Sequence, residues 1–343
     1  MEDAINFLSS IGEEVEDAEE ESFLLFSQDI PSSNLGFVDS KASTIELTIH
    51  DNEYTIHQSP TLLSSSRAGG TTGAVLWKIT PLFASWLSDT ASNPLWRGGY
   101  LTYSSTIVEL GCGISALTAL CLAPLLEVGV PGGKGHYLAT DQEYVHKLFR
   151  TNLQGNPPKT SGKKVGGGGK GPSKGKKSQQ SKGNDDDAHQ HKSITFTSLD
   201  WETDIPDTLK TQIQKNQDQG STAQKGEEEK EEEEQDKGFD LLLSCDCIYN
   251  EALISPFVRT CADVARLRSP SSSSSSSSFS SARNPTIAVI AQQQRSPDVF
   301  EAWLRETMRY FRVFRLADDV LRVEGGLGLG GGSGYLVHAL VLR

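Results

Sequence analysis

Apolar and polar residues alternate in the first patterned stretch of the chain, residues 44–58. Ile45, Leu47 and Ile49 share one face, an Asp-Asn pair at positions 51 and 52 follows, and the alternation then resumes. Alternation on both sides of a turn pair predicts a β-hairpin, because successive side chains of a strand point to opposite faces. The hairpin precedes the main pattern of the chain and is expected to be an accessory ribbon.

After the hairpin, short continuous apolar runs alternate with apolar positions at helical spacing. Helical spacing covers residues 76–87, and a second helix is expected at residues 114–122, ending before Pro124. The runs predicted to be strands are residues 107–110, 136–140, 193–199, 239–244, 286–291, 313–316 and 336–342. Alternating strands and helices predict an α/β fold with a parallel sheet and right-handed crossovers. The last strand is expected to be inserted antiparallel.

Composition limits how much of the 343 residues can fold. Residues 1–43 are acidic and predicted to be largely disordered, whereas residues 44–343 are predicted to form one domain. Stretches rich in Gly, Lys, Glu or Ser predict low-complexity insertions in that domain at about 155–192, 208–237 and 269–284. Such stretches bury too little apolar surface to offset the entropy of ordering them.

The formal net charge of −13 is concentrated in two runs. Residues 1–21 carry nine acids and no base, and residues 227–236 carry eight acids and one lysine. The lysine-rich insertion has the opposite sign but contains no aromatic residue that would stack on a base, so specific nucleic-acid binding is not predicted. The remainder is close to neutral, and the overall charge therefore identifies no partner.

The five cysteines form no CxxC pair and no cysteine–histidine cluster with metal-ligand spacing, so no metal site is predicted. They are expected to be small apolar side chains in a reducing compartment. No apolar run approaches membrane-spanning length, and the first residues are acidic rather than basic. These features predict no membrane association and a cytoplasmic location, with the nucleus as the alternative.

The leading candidate for a binding site is the stretch 106–115, which reads Thr-Ile-Val-Glu-Leu-Gly-Cys-Gly-Ile-Ser. An apolar strand leads through Glu109 into a turn of Gly111, Cys112 and Gly113, where glycine lets backbone approach a ligand closely. Asp141 ends the next strand, where ligands of open α/β sheets bind, and its carboxylate can accept both hydroxyl groups of a ribose. The alternatives are an ordinary glycine turn and an N-cap for the following helix.

Three more polar or aromatic residues occupy candidate positions. Asp200 and Trp201 follow the third strand of the α/β pattern, where they either hold a flat base or cap the edge of the sheet. Trp77 lies at the junction between a loop and a helix. Taken alone, Trp77 fits the core better than a ligand contact.

The segment Cys245-Asp246-Cys247-Ile248-Tyr249 follows a continuously apolar strand, which is typical of a sheet centre covered on both faces. Asp246 and Tyr249 are three residues apart just past this strand. They are expected to face the same crevice as Gly111 and Asp141.

With these residues assembled, the chain resembles the seven-stranded class I methyltransferases that use S-adenosyl-L-methionine, which have a Rossmann-like fold. More narrowly, it resembles the family-16 protein-lysine methyltransferases, the methyltransferase-like-21 group. Four features carry the resemblance: residues 73–77, the Glu-Leu-Gly-Cys-Gly turn at 109–113, Leu-Asp-Trp at 199–201, and the Asp246-x-x-Tyr249 signature. The resemblance covers about residues 45–342 without the insertions, and Ser115 departs from the fuller motif, which has a third glycine there.

The resemblance implies S-adenosyl-L-methionine as cofactor and a role for each matching residue. The residues it implies for cofactor binding are Trp77, Glu109, Gly111, Cys112, Gly113, Asp141, Asp200, Trp201 and Cys245. Asp246 and Tyr249 are implied to be catalytic, at the side where the acceptor enters. Residues 244–250 and 294–300 look most like the fungal members of the group, whose substrate is a large-subunit ribosomal protein of the L1 stalk.

Three alternatives to this function stay open. The first is a lysine methyltransferase that acts on another target, such as an elongation factor or a chaperone. The second is a nucleic-acid N-methyltransferase, which the sequence disfavours because Cys247 and Ile248 replace the two prolines of that motif. The third is a non-catalytic scaffold that binds the cofactor. A monomer with a protein substrate is expected.

Overall fold

The structure is a computed structural model that describes residues 1–31, 35–66, 70–126, 135–158, 191–212, 238–268, 284–322 and 328–343. Most of each predicted insertion, namely residues 159–190, 213–237 and 269–283, lies outside the described residues. Within the described residues, no helix is both long enough and apolar enough to cross a membrane.

The strands of the described part are β1 (Gly12–Glu14), β2 (Thr44–Ile49), β3 (Asn52–His57), β4 (Thr106–Leu110), β5 (His136–Asp141), β6 (Ile194–Ser198), β7 (Leu241–Cys245), β8 (Ile287–Gln293), β9 (Phe311–Leu316) and β10 (Tyr335–Leu342). Its helices include α1 (Glu2–Ile11), α2 (Ala18–Phe26), α3 (Pro60–Leu63), α4 (Ile79–Ser88), α5 (Pro94–Arg97), α6 (Leu117–Leu126), α7 (Glu143–Gly155), α8 (Glu251–Arg266) and α9 (Pro297–Met308).

One large sheet organises the molecule, with the strand order β1-β9-β10-β8-β7-β4-β5-β6. Strands β6, β5, β4, β7 and β8 pair in parallel, whereas β10 runs antiparallel to both of its neighbours, β8 and β9. The predicted Rossmann-like α/β fold with a parallel sheet and an inserted antiparallel last strand is confirmed. The strand β1 adds an eighth strand beyond the seven that were expected.

Both faces of this sheet are covered by helices. Along β4, Ile107 packs into one apolar cluster with residues of α4, α6 and α7, while Val108 and Leu110 pack into a second cluster with residues of α8 and α9. A strand that is buried on both faces needs apolar side chains at successive positions. This requirement explains why the central strands read as continuous apolar runs.

The N-terminal segment differs from the prediction that it is largely disordered. Helices α1 and α2 flank β1, and β1 pairs antiparallel with β9 at the edge of the sheet. Leu8 and Val15 are buried in the core, and Gly12 lies so close to the carbonyl of Arg315 that an added Cβ would come within 2.5 Å of its oxygen. The prediction weighted the acidic composition, which gives no sign that this segment packs on the sheet and pairs with β9.

The acids of this segment have partners that only the fold provides. Glu14 pairs with Arg312 through two guanidinium nitrogens, and Arg315 contacts both Glu13 and Glu21. Burial raises the pKa of Glu21, and the neighbouring guanidinium of Arg315 partly offsets this effect. The N-terminal acids are therefore partly neutralised by arginines of β9.

The predicted hairpin is confirmed as β2 and β3, with its turn one residue earlier than expected, at His50 and Asp51. Asn152 of α7 and Asn156, the C-cap residue of that helix, bind the edge of β3 as a neighbouring strand would. The Asn152 side chain exchanges hydrogen bonds with the N–H and carbonyl of His57 at 2.7 and 2.9 Å, and Asn156 does the same with Thr55 at 2.8 and 2.9 Å.

The helix predicted at residues 114–122 begins and ends later. Residues 114–116 extend the glycine turn, with Ala116 at a φ of 55°, and α6 then runs from Leu117 to Leu126 with Pro124 inside it. Pro124 lies in the last turn of a helix that is buried on nearly all sides. Tertiary packing here overrides the local tendency of proline to end a helix.

Candidate active site

A cleft opens where the carboxyl ends of β4, β5, β6 and β7 meet. It lies where the strand order reverses, between β4 and β7, which is the usual position of a ligand in an open α/β sheet. The predicted site residues that line it are Trp77, Glu109, Gly111, Cys112, Gly113, Asp141, Asp200, Trp201, Cys245, Asp246 and Tyr249. The fold therefore brings all of them to one place.

The glycine turn after β4 has a conformation that other residues rarely adopt. Gly111 and Gly113 have φ angles of 71° and 61°, in the left-handed region. A Cβ at Gly111 would collide with the sulfur of Cys247 and lie 3.3 Å from the ring of Trp201. Gly111 and Gly113 therefore present bare backbone to the cleft on either side of Cys112.

Asp141 lies beside this turn and fixes its backbone. Its carboxylate accepts hydrogen bonds from the N–H groups of Gly113 at 2.8 Å and Gln142 at 2.7 Å. Burial raises the pKa of Asp141 to about 6, and these two hydrogen bonds oppose the rise. The N-cap position of α7 is Gln142, not Asp141, so the N-cap alternative is wrong.

Glu109 lies deeper than the other polar residues of the cleft. Only 2% of its surface is exposed, and it accepts a hydrogen bond of 2.8 Å from the hydroxyl of Tyr137. Burial raises the pKa of Glu109 to about 7, against the lowering effect of hydrogen bonds from Tyr137 and Thr118. Glu109 thus supports the glycine turn from within and reaches the floor of the cleft.

Trp201 forms a wall of the cleft beside Gly111. Its ring packs on Phe257 with centroids 5.0 Å apart, and its buried Nε1 has no hydrogen-bond partner among the described residues. Asp200 shapes the turn that carries the ring, since its side chain accepts from the N–H of Glu202 at 2.9 Å. A flat apolar wall with an unsatisfied donor suits a heteroaromatic ligand better than a simple cap of the sheet edge.

Trp77 closes the cleft from the opposite side. Its Nε1 donates to the carbonyl of Thr72 at 3.1 Å, and its ring packs against Phe37 with centroids 4.3 Å apart. The guanidinium of Arg295 lies over the same ring, 4.6 Å from its centroid. Trp77 is therefore both packed in the structure and part of the cleft wall.

Asp246 sits at the end of β7 with a φ of 61°, which is uncommon for a residue that is not glycine. Its carboxylate is almost fully buried and accepts from both terminal nitrogens of Arg295, and from the N–H of Gln293 at 3.2 Å. The sequence analysis did not identify Arg295. It lies two residues after the end of β8 and within residues 294–300, which the sequence analysis noted only for their resemblance to the fungal members, so no local pattern marked it as a partner of Asp246.

Tyr249 is the most exposed of the predicted catalytic residues, at 40%. Its hydroxyl accepts a hydrogen bond of 3.1 Å from Thr72, which tethers the ring to the loop before α4. Desolvation raises the pKa of Tyr249, so the phenol stays protonated at neutral pH. Tyr249 therefore stands at the mouth of the cleft as a hydrogen-bond donor.

Three thiols line the cleft: Cys112, Cys245 and Cys247. Burial raises the pKa of each of them, so they remain neutral and have little nucleophilic character. The described residues contain no group of three or more His, Cys, Asp or Glu side chains that could hold a metal ion.

No family model matches the chain. The chain is 36% identical over 143 residues to the diaminohydroxyphosphoribosylamino-pyrimidine deaminase of Schizosaccharomyces pombe. The matched region covers 41% of this chain and 32% of that protein. It is 27% identical over 225 residues to the ribosomal lysine N-methyltransferase 5 of Zygosaccharomyces rouxii, which covers 60% of this chain and 58% of that protein. The ribosomal lysine N-methyltransferase 5 of Vanderwaltozyma polyspora is 24% identical over 337 residues, and the matched region covers 88% of this chain and 91% of that protein.

The chain is similar to fungal ribosomal lysine N-methyltransferases over much of its length. It spans about a third of the deaminase and somewhat more than half of the Zygosaccharomyces rouxii protein. Because the deaminase match leaves most of that protein uncovered, its reaction does not transfer to this chain. Among solved structures, a CurJ carbon methyltransferase overlaps with a TM-score of 0.36 at 14% identity, covering 77% of this chain and 57% of that chain. That overlap is weak, and the fold is assigned from the strand order.

Proposed function

We propose that the protein is an S-adenosyl-L-methionine-dependent protein-lysine N-methyltransferase, and that its substrate is a large-subunit ribosomal protein, the L1-stalk protein. The observation that carries the proposal is the convergence of four strand ends on one cleft. The glycine turn, Asp141, Trp201 and Asp246 come from β4, β5, β6 and β7, in the order that a single extended ligand requires. The similarity to fungal ribosomal lysine N-methyltransferases supports the same function and suggests the substrate.

The residues of the cleft fit the proposed cofactor. The carboxylate of Asp141 is suited to accept the two hydroxyl groups of a ribose, and the ring of Trp201 is suited to an adenine. At Gly111 the space that a Cβ would fill is taken by Cys247 and Trp201, so backbone forms the surface of the cleft there. Glu109 and Cys112 border the end of the cleft that we assign to the methionine part.

The cofactor would supply a methyl group on a sulfonium, which passes to the acceptor nitrogen as the sulfur–carbon bond breaks. The protein then has to position the acceptor and present it as a neutral amine. A lysine has an ordinary pKa of about 10.4, so little of it is neutral at pH 7. Desolvation at the mouth of the cleft lowers that value, and Asp246 and Tyr249 would orient the amine through hydrogen bonds.

A radiolabelled methyl assay tests the proposal. The purified full-length protein and labelled S-adenosyl-L-methionine are added to a fungal lysate that lacks this protein. We expect one labelled large-subunit ribosomal protein, because the relatives are described as ribosomal lysine methyltransferases. Label on an elongation factor or a chaperone would contradict the ribosomal substrate and support a lysine methyltransferase with that other target. Label on RNA would support the nucleic-acid methyltransferase.

The variant Asp246→Ala separates an enzyme from a scaffold. Removing the carboxylate is expected to abolish methyl transfer while S-adenosyl-L-methionine still binds, since Asp141 and Trp201 remain. Asp263→Ala, at a half-exposed position of α8 where Asp263 pairs with Arg266, is the matched control and should retain activity. Wild-type turnover by the Asp246→Ala variant would contradict the role of this residue. Cofactor binding without any transfer by the wild-type protein would favour the scaffold.

We also propose that the protein acts as a monomer in the cytoplasm, with the nucleus as the alternative compartment. Light scattering of the purified protein measures its oligomeric state. Microscopy of a fluorescently tagged full-length chain measures its compartment.

A further inference from the structure

Arg295 has no assigned role, yet it is held in place from three sides. Its two terminal nitrogens bind the carboxylate of Asp246, and one of them also donates to the Oε1 of Gln293 at 3.1 Å. The plane of its guanidinium lies over Trp77. Gln293 is fixed in turn, because its Oε1 accepts from the N–H of Gly36 at 2.9 Å. A side chain with this many fixed contacts is preorganised.

The geometry leaves Asp246 able to accept one more hydrogen bond. A carboxylate offers about four acceptor positions. Among the described residues, Oδ1 accepts from Gln293 and Arg295, whereas Oδ2 accepts from Arg295 alone. Asp246 lines the cleft, and Arg295 lies behind it and does not. A donor that enters the cleft therefore meets a carboxylate whose charge is already paired.

This pairing resolves a conflict in the proposed reaction. An unpaired carboxylate beside the acceptor would stabilise the ammonium form of lysine and raise its pKa by roughly 1–3 units. Each unit lowers the fraction of neutral amine about tenfold at a pH below that pKa. A carboxylate neutralised by arginine can still accept an N–H hydrogen bond, but it exerts little net charge on the amine.

We propose that Arg295 is a positioning residue that neutralises Asp246, so that Asp246 orients the acceptor lysine as a neutral amine rather than holding it as an ammonium. The inference rests on the proposed lysine methylation. Arg295 does not touch the acceptor or the cofactor in this role. It acts through Asp246, while Trp77 and Gln293 hold its guanidinium beside the carboxylate.

The other ionisable groups around Asp246 and Arg295 titrate outside the pH range in which the acceptor lysine is expected to lose its proton. Burial raises the pKa of Glu109 to about 7 and that of Asp141 to about 6. Desolvation raises the pKa of Tyr335, on β10, to about 12, while the charges of Asp246 and Arg295 act on it in opposite directions. The pKa values of Tyr249, Cys245 and Cys247 are likewise raised by desolvation. Above about pH 7.5, the acceptor amine is therefore the group expected to titrate first.

The test compares the pH dependence of kcat for Arg295→Met, Arg295→Lys and the wild-type full-length protein. The substrate is purified large ribosomal subunits from cells that lack this protein, assayed from about pH 7.5 to about pH 10. For Arg295→Met we expect the midpoint to rise by about one unit or more and the rate near pH 7.5 to fall about tenfold, recovering at high pH. Arg295→Lys keeps the charge and should keep the wild-type midpoint with a lower maximal rate. Arg305→Met, on the surface of α9, is the matched control and should behave as wild type.

Each variant is also tested for S-adenosyl-L-methionine affinity and melting temperature. A rate that falls equally at every pH, with an unchanged midpoint, would overturn the proposal and leave a structural role. A midpoint of Arg295→Lys that rises by about one unit or more above that of the wild type would also overturn the proposal, and this outcome can be read even if Arg295→Met fails to fold. A wild-type protein that binds the cofactor but methylates nothing would instead contradict the proposed function, which is a separate failure.

Discussion

Three of the carboxyl groups that line the cleft, those of Glu109, Asp141 and Asp246, differ because of what surrounds each of them. Burial raises the pKa of Glu109 to about 7 and that of Asp141 to about 6. Neither carboxyl group has a cationic partner among the described residues that would oppose this rise. Asp246 is buried as well, but Arg295 binds it through two nitrogens. At the scale of single residues, the cleft thus separates two carboxyl groups that titrate near neutral pH from one whose charge is compensated.

The raised pKa of Asp141 predicts that cofactor binding depends on pH. Only the carboxylate can accept both ribose hydroxyl groups, so binding favours the ionised form and should weaken as the pH falls through about 6. Calorimetric titration with S-adenosyl-L-methionine between about pH 5 and about pH 8 measures this, and the loss below the pKa approaches tenfold per unit. Above that pKa the contribution of Asp141 should be constant.

Asp141→Asn should bind S-adenosyl-L-methionine weakly, and its affinity should no longer fall as the pH falls through about 6. Asp207→Asn, at an exposed position, is the control and should retain the pH dependence of the wild type. Any pH dependence left in Asp141→Asn is expected from Glu109, whose pKa is about 7. An affinity for the wild-type protein that is unchanged between about pH 5 and about pH 8 would contradict the role of Asp141.

At the scale of elements, α7 links the hairpin to the cleft. The buried side chain of Asn152 binds His57 of β3 on one side and donates to the carbonyl of Ile114, next to the glycine turn, at 2.7 Å on the other. Helix α7 begins at Glu143, two residues after Asp141. One helix therefore connects the accessory ribbon to the two strand ends that form the proposed cofactor site.

Asn152→Ala should destabilise the protein by about 2–3 kcal/mol, because it leaves the buried carbonyl of Ile114 and the partly buried backbone groups of His57 without partners. Denaturant unfolding followed by circular dichroism measures the change. Gln154→Ala, exposed on the same helix, is the control and should stay within about 0.5 kcal/mol of wild type. Equal stabilities of the two variants would show that Asn152 does not hold the hairpin.

At the scale of the whole molecule, the N-terminal segment completes the sheet. Strand β1 covers the outer edge of β9, where unpaired backbone groups would otherwise invite pairing with another chain. Val15 anchors it, since its N–H donates to the carbonyl of Val313 at 2.8 Å and its side chain is buried. The acidic N-terminus is thus part of the folded domain as well as a source of charge.

Val15→Asp should therefore lower the melting temperature by roughly 5–10 °C, because it buries a charge and loosens β1 from the edge of the sheet. Scanning calorimetry measures the shift, and light scattering reports any association through the exposed edge of β9. Glu16→Ala, at the next and exposed position, is the control. A melting temperature of Val15→Asp equal to that of the control would mean that β1 adds nothing to stability.

Much of the fold follows from local patterns in the sequence. The period of two in β2 and β3 predicts the hairpin, and continuous apolar runs predict the central strands, because burial on both faces imposes those patterns. Since parallel strands end at the same edge of a sheet, the polar residues that follow β4, β5, β6 and β7 were expected to meet. The sequence could therefore predict the location of the cleft.

The remaining features depend on residues that are distant in sequence. Asp246 and Arg295 are 49 positions apart, and Gly12 meets Arg315 across almost the whole chain. No local pattern marks such pairs, because they form only when the strands have been ordered and the helices packed. The sequence by itself determined the strands, their polar ends and the cleft between them. The tertiary structure decided that the acidic N-terminus pairs with β9 and that Asp246 is neutralised by Arg295, because burial makes an isolated charge unfavourable and favours a partner at that point in the fold.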